Sequence, residues 1–133
     1  MTHVTGIGGI FFKAEDPKSL KEWYREHLGI DAGDYGATFN WRDDNDPTKQ
    51  GQTLWTPFPK DTKYFDPGTA PFMINYRVAD LDGLVKALRD GGVEVKSESS
   101  EYGHFAWISD PEGNRIELWE PADESPDAPP KTD

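Results

Sequence analysis

Apolar residues recur along this chain with two periods, and each period is met twice. Val4–Lys13 carries Ile7, Ile10, Phe11 and Phe12 among glycines and predicts a strand. Asp16 then offers an N-cap, with Pro17 at the first helical position. Leu20, Trp23, Tyr24, His27 and Leu28 follow at i, i+3, i+4, i+7 and i+8, one face of an amphipathic helix that Gly29 ends. Strands are predicted at Thr38–Arg42 and Gln52–Thr56, separated by a polar turn. After a loop rich in Pro, Gly, Asp and Lys, which carries Tyr64 and Phe65, the order repeats. Phe72–Val78 predicts a strand, and Asp80 caps a helix with Leu81, Leu84, Val85 and Leu88 on one face. Val93–Ser97, His104–Ile108 and Arg115–Trp119 predict strands, the last two joined by the turn Asp110-Pro111-Glu112-Gly113-Asn114.

The repeat is also literal. Thr53-Leu54-Trp55-Thr56-Pro57 is echoed 64 positions on by Glu117-Leu118-Trp119-Glu120-Pro121, and Asp16 by Asp80. Two copies of one supersecondary unit are implied. The expected fold is α+β, with two β-α-β-β-β modules forming a cupped, mixed, eight-stranded sheet. Their limits are residues 1–57 and 72–121, joined by a loop over 58–71 and followed by a disordered acidic tail over 122–133. Together they make one domain.

Period-2 parity then assigns faces. Phe72, Ile74, Tyr76 and Val78, with Ile116 and Leu118, form apolar sets expected under the helices. Met73, Asn75 and Arg77, with Arg115, Glu117 and Trp119, form mixed sets expected to line the open cup. Phe11 joins the cup on the first strand and Trp55 by equivalence with Trp119. Placing Phe39, Trp41, Phe105 and Trp107 under the helices turns Thr38, Asn40 and His104 into the cup. Both faces of Phe105–Ile108 are apolar, so parity alone leaves that strand open.

Composition narrows the partners. A net charge of −11 over 133 residues argues against nucleic acid and anionic membranes, which both require basic patches. It is compatible with a cationic ligand. The chain has no cysteine, hence neither disulfides nor thiolate chemistry, which fits a reducing compartment. Neither a secretory signal nor a stretch of transmembrane length is legible, so the expected address is the cytoplasm. Five Trp, five Tyr and seven Phe supply large buried areas.

Two segments carry a family resemblance. Trp107-Ile108-Ser109-Asp110-Pro111-Glu112-Gly113-Asn114-Arg115-Ile116-Glu117-Leu118 resembles the C-terminal signature of the vicinal oxygen chelate superfamily. Asp16, Leu20, Trp23-Tyr24 and Leu28-Gly29 resemble its first helix. That superfamily contains glyoxalase I, extradiol dioxygenases, methylmalonyl-CoA epimerase and bleomycin-resistance proteins, and the likeness spans roughly residues 4–121. The resemblance implies a homodimer. It also implies metal-ligand positions at Gly9, Thr53, Met73 and Glu117, of which only Glu117 suits a divalent ion.

The preferred expectation is therefore a small-molecule-binding protein without cofactor or metal, similar to the antibiotic-sequestering members, with an aromatic or cationic ligand. The alternative is a lyase, isomerase or dioxygenase using an atypical Fe, Mn, Ni or Zn site, or Glu117 and His104 as acid and base. Glu117 reads equally as a functional carboxylate or as one paired with Arg77 or Arg115. The candidate ligand-binding set is Phe11, Asn40, Trp55, Met73, Asn75, Arg77, Arg115 and Trp119. Trp55 and Trp119 read as stacking walls or as packing, and Tyr64 and Phe65 as a lid or as an anchor for their loop.

Overall fold

A computed structural model describes residues 4–122. In chain order the elements are β1 (Val4–Ala14), α1 (Pro17–Leu28), β2 (Ala37–Arg42), β3 (Gln50–Pro59), β4 (Phe72–Val78), α2 (Leu81–Asp90), β5 (Lys96–Ser100), β6 (Gly103–Ser109) and β7 (Arg115–Pro121). All strands join one sheet in the order β2-β3-β1-β4-β7-β6-β5. The pairs β1/β3 and β4/β7 run parallel and the rest antiparallel. The antiparallel β1/β4 pair at the centre joins the two units.

The α+β architecture is as expected, but the described residues form seven strands, not eight. Between α1 and β2, where the second unit has β5, Gly33 and Gly36 bridge each other through two backbone hydrogen bonds of 3.0 and 3.1 Å. Gly36 sits at φ 105°, a conformation that favours glycine, so the chain turns there instead of extending. β5 also starts later than expected, because Val95 packs into the core beneath α2. The expected tail lies, from residue 123 on, outside the described residues, as does His3.

Both helix starts match their caps. Asp16 accepts from the Ser19 N–H at 3.2 Å, and Asp80 from the Gly83 N–H at 3.1 Å. Glu120 on β7 adds a second acceptor at the start of α2, taking the Leu81 N–H at 2.8 Å. β3 runs on to Pro59, three residues past the predicted end. Its pairing with β2 stops at Trp55, so one side of residues 56–59 is an edge, where Pro57 and Pro59 leave no ladder donor missing.

The core has two parts. Val78, Leu81, Val85, Ala106 and Leu118 pack beneath α2, joined by Tyr76, Ile108 and Ile116. Phe11, Leu54, Phe65 and Met73 fill the floor of the opposite, concave face, joined by Phe58 and Trp107. α1 covers its side less completely. Tyr24 packs on Trp55 with ring centres 4.8 Å apart, and Trp55 on Phe12 at 5.3 Å. Trp23 and Leu28, expected to be packed, are exposed, since only one side of the apolar stripe meets the sheet. Among the described residues, no helix is long and apolar enough to cross a membrane.

Candidate functional site

Strand register assembles the concave face in rows. Trp107, Glu117, Asn75, Gly9 and Leu54 are successive partners across β6, β7, β4, β1 and β3. One level away, Phe105, Trp119, Arg77 and Gly6 form a second row. Met73, Phe11 and Thr56 form a third. Residues up to 53 positions apart in the chain thus meet around one carboxylate.

That carboxylate is Glu117, 2% exposed. Asn75 Nδ2 donates to Oε1 at 2.6 Å. Trp107 Nε1 donates to Oε2 at 2.9 Å, and so does the Tyr64 hydroxyl. Three donors around an acceptor-only group are the arrangement an ionised, buried carboxylate requires. Burial, followed by the Glu117 charge and hydrogen bond, pushes the Tyr64 phenol well above its ordinary range. Tyr64 is therefore a fixed donor at neutral pH, and its hydroxyl end is held inside while 43% of the residue is exposed.

Aromatic rings continue the site on both sides. Trp107, Phe105 and Trp119 stack in sequence, with centres 6.1 and 5.9 Å apart. The Arg77 guanidinium lies 5.4 Å from the Trp119 ring and 5.8 Å from Trp41. On the other side Phe58 stacks on Tyr64 at 5.8 Å and meets Phe11 at 5.4 Å. Between these walls lies a cavity of about 400 Å³, with Leu54 and Glu117 in its lining and Tyr35 and Asp34 completing it. Its size suits a small organic molecule.

The floor depends on bare backbone in β1. A methyl group at Gly8 would overlap the Asn75 amide oxygen, and one at Gly6 would overlap the Trp41 indole. That Asn75 oxygen is buried without a hydrogen-bond partner, while its amide nitrogen is committed to Glu117.

The expected site residues divide. Phe11, Met73, Asn75, Arg77, Glu117 and Trp119 share the concave face, though of the ligand-binding candidates among them only Phe11 touches the cavity. Trp55 is buried against Phe12 and Tyr24, away from the cavity. Asn40 is exposed opposite Gln52 near the sheet edge. Arg115 donates to Ser109 Oγ at 3.2 Å and borders a separate depression near Val95 and Asp110. His104 faces the other way: its Nδ1 lies 2.8 Å from Ser99 Oγ, beside Leu81 and Val85 of α2. Phe105 and Trp107 take the inward places that had been assigned to it. Small Ala106 fits beneath the closely packed helix, and the bulky rings go where no helix lies. Tyr64, read from the sequence as a lid or an anchor, supplies a wall of the site, and Phe58, Phe105 and Trp107 join it without having been singled out as site residues. Leu81, Leu84, Val85 and Leu88 already fill the helix side, a signal that could have placed the two β6 aromatics.

The four positions implied for a metal do not fit one. Gly9 has no donor, and Met73 offers a soft thioether inside an apolar cluster. The Thr53 hydroxyl donates to the Ile7 carbonyl and accepts from Trp41 Nε1, while Leu54 takes the place in the Glu117 row. Both Glu117 oxygens already face N–H or O–H donors. Among the described residues, no three His, Cys, Asp or Glu side chains gather as a metal site.

Residues 9–119 match the family model described as a glyoxalase-like domain. Methylmalonyl-CoA epimerase from Streptomyces coelicolor superposes with a TM-score of 0.66 at 20% identity, covering 91% of this chain and 100% of that one. The Mycobacterium tuberculosis epimerase gives 0.56 at 24% identity, with 91% of each chain covered. A catechol 2,3-dioxygenase gives 0.57 at 18% identity, covering 91% of this chain and 40% of that one. No curated protein sequence matches the chain. At such identities the solved structures show a shared fold.

Proposed function

Because the chain belongs to the glyoxalase-like domain family, within the vicinal oxygen chelate superfamily, we propose that it binds a small organic molecule in the aromatic cup beside Glu117 without a metal. The observation that carries this reading is the capture of both Glu117 oxygens by Asn75, Tyr64 and Trp107. A metal ion would have to share those oxygens with the three donors and would gain no second hard ligand from Gly9, Met73 or Leu54. Ligand sequestration follows as the role. The epimerase neighbour was solved with a propionyl-CoA analogue, an anionic molecule. The cavity here presents two carboxylates, Asp34 and Glu117, which disfavour an anion.

The test is elemental analysis of protein purified without chelators, then re-addition of Fe²⁺, Mn²⁺, Ni²⁺ and Zn²⁺. The expected result is less than stoichiometric metal in each case. Stoichiometric metal that disappears in Glu117→Ala would overturn the reading.

A second reading, an enzyme of the same superfamily, is favoured by the Tyr64–Glu117 contact, a proton-bearing pair on the cavity wall. His104 lies on the opposite face, so it cannot share in that chemistry. The raised Tyr64 phenol makes a weak acid at neutral pH, which supports binding over catalysis. Turnover by metal-stripped protein that vanishes in Glu117→Gln would reverse this preference.

We also propose a homodimer formed through the helix side of the β1/β4 pair. α1 lies over β1 and β3, and α2 over β6 and β7, leaving a strip between them. There Ile7, Ile10 and Phe72 are 44%, 37% and 42% exposed, in register with Tyr76, Ile74 and Phe12. An apolar strip on the pseudo-twofold of one copy suits the self-complementary contact of a second copy. Light scattering should give twice 15.0 kDa, and Ile10→Glu should give the monomer. A monomeric parent protein would refute this contact.

A further inference from the structure

Resting on the binding reading above, we infer that the ligand of the cup is an organic cation: an ammonium group attached to a compact apolar or aromatic body. Five aromatic rings line the cavity, those of Phe11, Tyr35, Phe58, Tyr64 and Phe105. Ring faces carry negative potential and attract ammonium groups, more strongly once water is displaced. The ionisable lining is of one sign. Asp34 and Glu117 contribute carboxylates, and among the described residues no lysine, arginine or histidine lines the cavity.

The basic groups nearest the cavity stay out of its lining: Lys21 Nζ donates to the backbone carbonyls of Gly33 at 3.1 Å and Asp34 at 3.3 Å, and three others lie over aromatic rings. Arg77 is sandwiched between Trp41 and Trp119, Lys13 lies over the Phe65 ring at 5.7 Å, and Lys96 over Trp107 at 5.4 Å. An anionic ligand would therefore meet two carboxylates and no basic side chain in the lining itself. A neutral apolar ligand would gain the ring contacts but nothing from Asp34. A cation gains both. Glu117 is not the sole counter-charge, because its oxygens serve Asn75, Trp107 and Tyr64. The ring faces and the exposed Asp34 carboxylate carry the selectivity, and a chain of net charge −11 adds long-range attraction.

Three probes of nearly equal shape separate these cases: phenyltrimethylammonium, tert-butylbenzene and benzenesulfonate. Titration calorimetry at low salt, with the indole N–H resonance of Trp107 as a site marker, reads each one. The cation should bind roughly tenfold tighter than the neutral probe, and benzenesulfonate should not bind. Asp34→Asn, an exposed change that leaves the fold intact, should weaken the cation several-fold and leave tert-butylbenzene unchanged. Equal affinity for the cation and the neutral probe, or preference for the sulfonate, overturns the cation assignment while leaving small-molecule binding standing. Failure of all three to bind or to move the Trp107 resonance overturns both.

Discussion

Phe65→Ala is expected to remove about 3–5 kcal/mol of stability, the range for emptying a fully buried aromatic site. Phe65 lies in the connection between the two units and is 0% exposed. Its ring meets Phe58 at 5.3 Å and shares a cluster with Phe11, Leu54 and Met73, drawn from β3, β1 and β4. Beside Phe65, the connection is held by Tyr64, through its hydroxyl on Glu117 and its stack on Phe58, and by a few backbone ties. Lys13 N–H donates to the Pro71 carbonyl at 2.7 Å, and turn hydrogen bonds link Asp66 to Lys63 and Gly68 to Phe65. Emptying the Phe65 site should thus both lower the urea midpoint and release the loop that carries Tyr64. Hydrogen exchange should then quicken over residues 60–71 before it quickens in β4 or β7. Phe65→Leu, which keeps most of the volume, should lose much less. An unchanged urea midpoint in Phe65→Ala would show that the loop is anchored by something else.

The scaffold was legible because its signals are local. Asp16-Pro17 and Asp80 announce helix starts, and Phe72–Val78 shows both its limits and its inward Val78 by alternation alone. Repetition located equivalent strands, and the Glu117 position followed from the C-terminal signature. What escaped was set by partners distant in sequence. Parity cannot rank two apolar faces of one strand; the choice in β6 depends on α2 already filling one side. Likewise the offset that pairs Thr53 with Glu117 holds in sequence but not in space. There the register puts Leu54 beside Gly9, and Thr53 turns to the Ile7 carbonyl. The missing eighth strand lay in the stretch containing Gly33 and Gly36, where the chain turns instead of extending. Tyr64 was the hardest to place, since a tyrosine in a loop carries no periodicity. Its neighbour Phe65, an aromatic that must be buried, draws it against the sheet.

Glu117→Gln tests the centre of the site most sharply, because it changes charge and donor pattern with almost no change of shape. Oε1 receives Asn75, and Oε2 receives Trp107 and Tyr64. Either orientation of a glutamine amide turns an NH₂ group toward a donor. The Asn75 side chain can flip in only one of the two cases, while the Trp107 and Tyr64 donors cannot both become acceptors. A buried donor then loses its partner, and the expected loss is about 2–4 kcal/mol in urea unfolding. Tyr64 should detach, and phenyltrimethylammonium binding should weaken with it. The same contact sets an alkaline limit. With its phenol raised in the folded state by burial and by Glu117, Tyr64 keeps its proton after the unfolded chain has lost it. The stability from this group is complete below the unfolded phenol value of about 10 and falls as the pH rises above it. Tyr64→Phe removes that limb of the pH profile. Glu117→Gln shortens it, because the charge goes while the burial remains. Equal urea midpoints for the parent protein and Glu117→Gln, at pH 7 and again near pH 11, would mean that this carboxylate is neither the structural nor the electrostatic centre of the cup.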